Sequence, residues 1–214
     1  MDRFTLALRA KIDDLVIFAG GPEASANPLS FDLSILDFLI LGEGEEVVVQ
    51  AISAIRAGKK PQGKGIVTTL DELSWAPSPE LSGLPSPLLN HHADRFLKQG
   101  ASVLWEMTRG CPFHCSFCFE SRGQRSVRHF PLAQLEAELE LLITKQVGEV
   151  YILDPTFNMD KQRTLTILGM LAERQSDIHF VFEIRAELLD SELADAFAQI
   201  NCALQIGLQS CDQA

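Results

Sequence analysis

Three of the five cysteines, Cys111, Cys115 and Cys118, fall within eight residues of one another. Their spacing, C-x3-C-x2-C, gathers three thiolates on one tight loop. A disulfide framework would spread its cysteines along the chain, and nothing else in the sequence points to an oxidising compartment. Clustered thiols in a reducing compartment more often hold metal. Three thiolates can grip three corners of a cubic 4Fe–4S cluster; such clusters normally take four cysteines. The fourth iron would then stay open to an outside ligand, which separates a catalytic cluster from one that only carries electrons. Structural zinc is the competing reading. Zinc favours paired C-x2-C knuckles and a fourth ligand, whereas His114 sits inside the loop and Cys202 and Cys211 are distant in sequence.

Composition narrows the setting. A net charge of −11 over 214 residues weighs against general nucleic-acid binding, which needs a basic surface. Arg109, Arg122, Arg125 and Arg128 around the cysteine loop keep a local basic patch open. No run of eighteen apolar residues would span a membrane. The start, MDRFTLALRAKIDD, lacks the pattern of a secretory signal, so a cytoplasmic location is expected.

The elements that must position the loop follow from hydrophobic spacing. Residues 3–12 read as a short helix, and Leu15 to Phe18 as a buried strand ending at Gly20-Gly21-Pro22. Phe38 to Leu41 is a second strand, ending at Gly42-Glu43-Gly44-Glu45, and Glu46 to Arg56 is a helix. Residues 58–100, with Pro61, Pro77, Pro79, Pro85 and Pro87, read as an extended connector. Its Trp75, Leu81, Leu84, Leu88 and Leu89 are expected to dock, making it an ordered strap. From Val103 onward strands alternate with helices. The strands are 103–107, 149–153, 179–184 and 202–208; the helices are 131–145, with Leu132, Leu135, Leu139 and Leu142 on one face, 160–174 and 191–200. This alternation predicts parallel βα units, whose sites lie at the C-terminal strand ends.

C-x3-C-x-aromatic-C after a first strand resembles the signature of the radical S-adenosylmethionine (radical SAM) superfamily. The flanking T-R-G-C-P and C-S-F-C are similar to its cobalamin-domain-linked branch. The resemblance implies a fold: a partial TIM-like (β/α) barrel at 101–214, preceded at 1–57 by a fragment of a Rossmann-like cobalamin-binding domain, with 58–100 as the strap. It also implies cofactors: a 4Fe–4S cluster whose open iron chelates S-adenosylmethionine, and cobalamin. Reductive cleavage of the sulfonium would give a 5′-deoxyadenosyl radical for hydrogen abstraction or methyl transfer on a small-molecule or peptide substrate. An outside reductant such as flavodoxin or ferredoxin would supply the electron.

The same resemblance assigns further residues. Phe117 would pack by the adenine. Asp154 and Thr156, in L-D-P-T-F-N after the second strand, would lie near the ligand ammonium, while Asn158 or Asp160 would cap the next helix. Glu183 and Arg185 share one face of the third strand by alternation, and Arg185 would contact the ligand or pair with a neighbouring carboxylate. Gln209 and Ser210, in G-L-Q-S, could reach the ribose or amino group. Cys202 reads as a small core residue, and Cys211 as neither ligand nor nucleophile. The loops with Gly20, Gly21, Gly42, Glu43 and Gly44 resemble the last two cobalamin-binding loops.

One part of that pattern is missing. The D-x-H-x-x-G loop that would ligate cobalt is absent; Asp177-Ile178-His179 imitates it, but Phe182 replaces the glycine. The chain therefore reads as an interior piece of a longer protein, with an unpaired fourth strand that favours association. A non-catalytic iron–sulfur or zinc module, and an inactive fragment, remain the alternatives.

Overall fold

The computed structural model describes residues 2–90, 93–113, 115–118 and 126–207. The chain divides into two compact units, 1–79 with 114–123, and 80–113 with 124–214.

The first unit is a three-stranded sheet with helices. In chain order it holds α1 (Asp2–Arg9), β1 (Phe18–Gly20), α2 (Pro22–Ala26), β2 (Phe38–Ile40), α3 (Glu45–Arg56) and β3 (Ile66–Val67). β1 runs parallel to β2, and β3 antiparallel to β2. All three residues of β2 are buried, as the central strand of three must be. Val47 and Ala51 bury the inner face of α3 against Phe38, Ile40 and Ile66. The first strand begins later than its apolar run suggests and is not buried, since Val16 and Phe18 are each 37% exposed. Among the described residues it is an edge strand, paired on one side only.

Residues 58–100 are not one connector. Their first part supplies β3 to the N-terminal sheet. Beyond it, Leu81 is buried in the second unit's core, with Leu84 and Leu88 packed against the same cluster. Trp75 and Leu89 stay exposed. The docking of Leu81, Leu84 and Leu88 agrees with the sequence expectation, whereas the prolines suppress periodicity and hid the two-residue strand.

The second unit is built on a four-stranded parallel sheet, ordered β4 (Ser102–Trp105), β7 (Glu149–Ile152), β8 (His179–Ile184) and β9 (Cys202–Ile206). Between β4 and β7 lies a short antiparallel pair, β5 (Thr108–Arg109) with β6 (Arg128–His129). Three helices connect the strands: α4 (Leu132–Thr144), α5 (Lys161–Glu173) and α6 (Ser191–Phe197). Leu135, Leu139 and Leu142 recur at helical spacing and are wholly buried, whereas Leu132, expected on that face, stands 36% exposed at the first turn. Asp160 caps α5 by accepting the Arg163 amide at 3.1 Å, and Asp190 caps α6 by accepting Leu193 at 3.0 Å.

The helices lie on one side of this sheet. Val103, Trp105, Val150, Ile152, Phe180, Phe182 and Ile184 point into a core shared with Leu139, Ile167, Leu171 and Phe197. Period-two alternation sends Leu104, Tyr151, Glu183 and Gln205 to the opposite face, where they are exposed. The parallel α/β architecture agrees with the sequence expectation.

Candidate functional site

The cysteine loop leaves the C-terminal end of β4. Trp105, the last residue of that strand, is buried and donates its indole N–H to Glu138 Oε2 at 2.6 Å; Gln134 donates to the other oxygen at 2.9 Å. The chain then passes the fully buried Met107 and enters the β5–β6 stem, with Thr108 opposite His129 and Arg109 opposite Arg128. Glu106 holds Arg109 through two contacts, at 2.8 and 3.0 Å. Gly110 has φ 91°, a bend that a side chain disfavours, and Cys111 follows immediately.

Cys111, Cys115 and Cys118 are all half-buried, and none of them forms a disulfide. The Cys118 amide donates to the Cys115 carbonyl at 3.0 Å, closing a turn across the C-x2-C half of the motif. Phe117 inside that turn is 71% exposed, an aromatic that no core holds. His114, Arg122 and Arg125 lie outside the described residues. Among the described residues, no three His, Cys, Asp or Glu side chains converge tightly enough for a single metal ion.

Asp154 is not at an open mouth. It is 2% exposed, and its Oδ1 accepts the amides of Met107 at 2.8 Å and Thr108 at 2.9 Å. Burial pushes its carboxyl up to about 6, against the pull of those hydrogen bonds. Thr156 is also buried, and its hydroxyl donates to the Pro155 carbonyl at 2.7 Å. Both residues line a crevice of about 10 Å³ with Thr108, His129, Asp160 and Arg163, space for no more than one water. Arg163 reaches across from α5 to the Phe130 carbonyl at 2.8 Å. Burial lowers its pKa, and the Asp154 and Asp160 charges oppose that shift. Burial, then the Arg163 charge, lowers His129.

Asp160, not Asn158, caps α5. Asn158, 1% exposed, instead accepts the Arg185 amide at 3.0 Å and donates to the Arg185 carbonyl at 2.9 Å. The Arg185 guanidinium lies 3.9 Å from the centroid of Phe113, two residues beyond Cys111, and pairs with Glu187. Glu183 is exposed on the helix-free face. The structure thus brings Arg185 to the start of the cysteine loop. Gln209, Ser210 and Cys211 lie outside the described residues. Cys202 is half-buried, directs its thiol toward the Phe197 carbonyl at 3.6 Å, and is pushed up in pKa by burial.

In the first unit, the Gly42 amide donates to Ser25 Oγ at 2.9 Å, tying together the loops that hold Gly20, Gly21 and Ser25 and Gly42, Glu43 and Gly44. Gly42, at φ 89°, also meets the Ala76 backbone, which a Cβ would approach to 3.1 Å. A close crossing within the chain accounts for this glycine without a ligand. Gly21, at φ 96°, has open space beside it, and Gly44 precedes α3.

Sequence reasoning missed Asn158 as a strand-end brace, Arg163 as a partner of the stem, and Glu138 beneath Trp105. Only Glu138 left a signal, its i+3 spacing from Leu135 on the buried face of α4. A larger cavity of about 310 Å³, lined by Gln175, Phe180, Gln199 and Asn201, opens at the opposite end of the sheet. Chemistry in parallel α/β sheets sits at the C-terminal strand ends, so the cysteine end is the candidate.

Comparison with known proteins gives the family. The family model described as the radical SAM superfamily matches residues 105–214, just over half the chain. The cobalamin-dependent radical SAM methyltransferase TokK of Streptomyces tokunonensis is 28% identical over 83% of this chain and 28% of its own length. An uncharacterized methyltransferase of Pyrococcus horikoshii is 25% identical over 98% of this chain and 49% of its own length. The chain therefore spans between about a quarter and half of these curated relatives. Among solved structures, the radical S-adenosylmethionine methyltransferase TsrM of Kitasatospora setae, with cobalamin and a [4Fe-4S] cluster bound, superposes with TM-score 0.76. It is 18% identical over 96% of this chain and 44% of its own. OxsB, a cobalamin-dependent S-adenosylmethionine radical enzyme, superposes at 0.68, with 20% identity over 97% of this chain and 33% of its own. No helix among the described residues is long and apolar enough to cross a membrane. A matched family model that opens at Trp105, at the foot of the cysteine loop, settles the relationship: the chain belongs to the radical SAM superfamily.

Proposed function

We propose that Cys111, Cys115 and Cys118 hold a 4Fe–4S cluster, and that the chain is the cluster-bearing part of a cobalamin-type radical SAM methyltransferase. The observation that carries this is the placement of a C-x3-C-x2-C loop at the C-terminal end of the first strand of a parallel sheet. The donor set fits: three half-buried thiols in no disulfide, on a loop that bends at Gly110, leave one corner of a cube for another ligand. When bound, such a cluster would supply one electron to S-adenosylmethionine and cleave its carbon–sulfur bond.

The chain's own residues do the rest by placement. Phe117, exposed in the C-x2-C turn, offers a face for the adenine. Arg185, held over Phe113, brings a positive charge to the end of β8, suited to a carboxylate. The helix-free face with Leu104, Tyr151, Glu183 and Gln205 reads as the inner wall of a partial barrel and would meet the substrate. The first unit, with β1 parallel to β2 and its two joined glycine loops, reads as part of a cobalamin-binding domain. Methyl transfer, a small-molecule or peptide substrate, and flavodoxin or ferredoxin as reductant belong to this proposal.

Anaerobic reconstitution with iron and sulfide, followed by EPR of the dithionite-reduced protein, tests it. The expected result is a cluster signal that shifts on adding S-adenosylmethionine. A signal indifferent to that ligand, or bound zinc, sinks the reading.

A further inference from the structure

The segment Asp154-Pro155-Thr156-Phe157-Asn158, which begins one residue beyond the end of β7, braces the strand ends on both sides. Toward β4, the Asp154 carboxylate gathers the two consecutive amides of Met107 and Thr108, at the point where the strand becomes the stem of the cysteine loop. Toward β8, the Asn158 carboxamide makes a two-way bridge to the backbone of Arg185. These amides lie at strand exits, where ladder bonding stops and each polar group needs another partner. Arg163 adds the opposite charge from α5, donating to the Phe130 carbonyl on the returning side of the stem. Phe130 in turn donates its own amide to the Met107 carbonyl at 3.1 Å. Asp154 and Arg163 therefore hold both sides of the stem.

A carboxylate facing a ligand should be exposed to it, and Asp154 is not. It is 2% exposed, and its crevice of about 10 Å³ admits no more than a water molecule. Asn158 is 1% exposed, with oxygen and nitrogen both engaged.

We propose that Asp154 and Asn158 are positioning residues that fix the two reacting sides of the site independently, Asp154 aiming the loop that carries Cys111 and Asn158 aiming Arg185. This rests on the cluster reading above, but its geometry is a property of the chain before any cluster arrives. The Asp154 arm sets how firmly iron is held. The Asn158 arm sets where Arg185 stands and leaves iron retention alone.

Two measurements test it on Asp154→Ala, Asp154→Asn and Asn158→Ala, alongside the wild-type protein. The first is amide hydrogen exchange without metal. Asp154→Ala should speed exchange at Met107 and Thr108 by about tenfold or more, whereas Asp154→Asn keeps an acceptor oxygen in place and should restore most of the protection. Asn158→Ala should speed exchange at Arg185 and leave Met107 and Thr108 unchanged. The second is iron loss to a chelator after anaerobic reconstitution. Asp154→Ala should release iron several-fold faster than Asp154→Asn, with Asn158→Ala at the wild-type rate. Should Asp154→Ala fail to fold, Arg163→Met, which loosens the Phe130 side of the same stem, takes its place with the same expectation. Unchanged exchange at Met107 and Thr108 in a folded Asp154→Ala or Arg163→Met protein overturns the Asp154 arm, as does wild-type iron retention. Unchanged exchange at Arg185 in Asn158→Ala overturns the other arm. A wild-type chain that takes up no iron and sulfide overturns the cluster assignment instead, and the exchange pattern still decides the positioning roles.

Discussion

The guanidinium of Arg185 lies 3.9 Å from the centre of the Phe113 ring, so the end of β8 touches the first turn of the cysteine loop. A cation over an aromatic face is worth about 0.5–1 kcal/mol when partly exposed. A double-mutant cycle with Phe113→Leu and Arg185→Met, read by urea unfolding of the metal-free protein, should return a coupling of about that size. A coupling indistinguishable from zero would mean that the stack does not hold the loop.

Glu138 is buried beneath Trp105 and accepts from both the indole and Gln134. Glu138→Ala leaves a buried indole N–H without its acceptor and should cost about 2–4 kcal/mol, more than Glu138→Gln, which keeps an acceptor oxygen. Trp105 fluorescence reports the change directly, with a shifted emission maximum expected in the alanine variant. Equal stability of the two variants would show that the Trp105 contact is not what Glu138 supplies.

Asp154 gives a pH dependence whose sign is opposite to that of a salt-bridged carboxylate. Its folded-state value of about 6 lies above the ordinary 3.8, so the folded chain binds the proton more tightly than the unfolded one. Stability from this group is therefore fully present below about pH 4 and falls as pH rises to 6, by a total of roughly 3 kcal/mol. Asp154→Asn carries no such titration. The melting temperature of the wild-type protein minus that of Asp154→Asn should fall between pH 4 and 6 and then level off. A flat difference would show that the carboxyl is not held protonated by burial.

Alanine at Cys111, Cys115 or Cys118 should each reduce iron and sulfide incorporation to near background, since each would remove one of the three sulfur ligands proposed for the cluster. Cys202→Ala should load normally, because its thiol serves packing near Phe197. Iron analysis after reconstitution distinguishes the two classes. Loss of loading in the Cys202 variant would require a fourth sulfur ligand and close the open corner.

Much of this was legible from spacing alone. The apolar runs of β4, β7, β8 and β9 and the leucine face of α4 announce themselves, because buried elements need contiguous or periodic hydrophobes. Asp160 was recognisable as one of two candidate caps, being an acidic residue just before helical periodicity. What stayed hidden was polar and long-range. Asp154 looks like a ligand-facing carboxylate until the two amides 46 and 47 residues upstream are found in front of it. Asn158 looks like a cap because side-chain-to-backbone bonds across a sheet leave no periodic trace. Gly42 looks like a ligand-approach glycine until the Ala76 backbone is seen beside it. Local patterns encode faces and ends; they do not encode which distant backbone a buried polar group will meet.

The braces on the cysteine stem also set an order of events during synthesis. Arg163 meets the Phe130 carbonyl from 33 residues downstream, and Asp154 reaches back still further to Met107 and Thr108. A nascent chain that has just released Cys118 from the ribosome owns its three sulfurs but not the groups that aim them. Iron delivered at that moment would meet a slack loop, so metallation should wait until α5 has emerged. Nascent chains stalled on either side of α5 should differ in how readily Cys111 is alkylated.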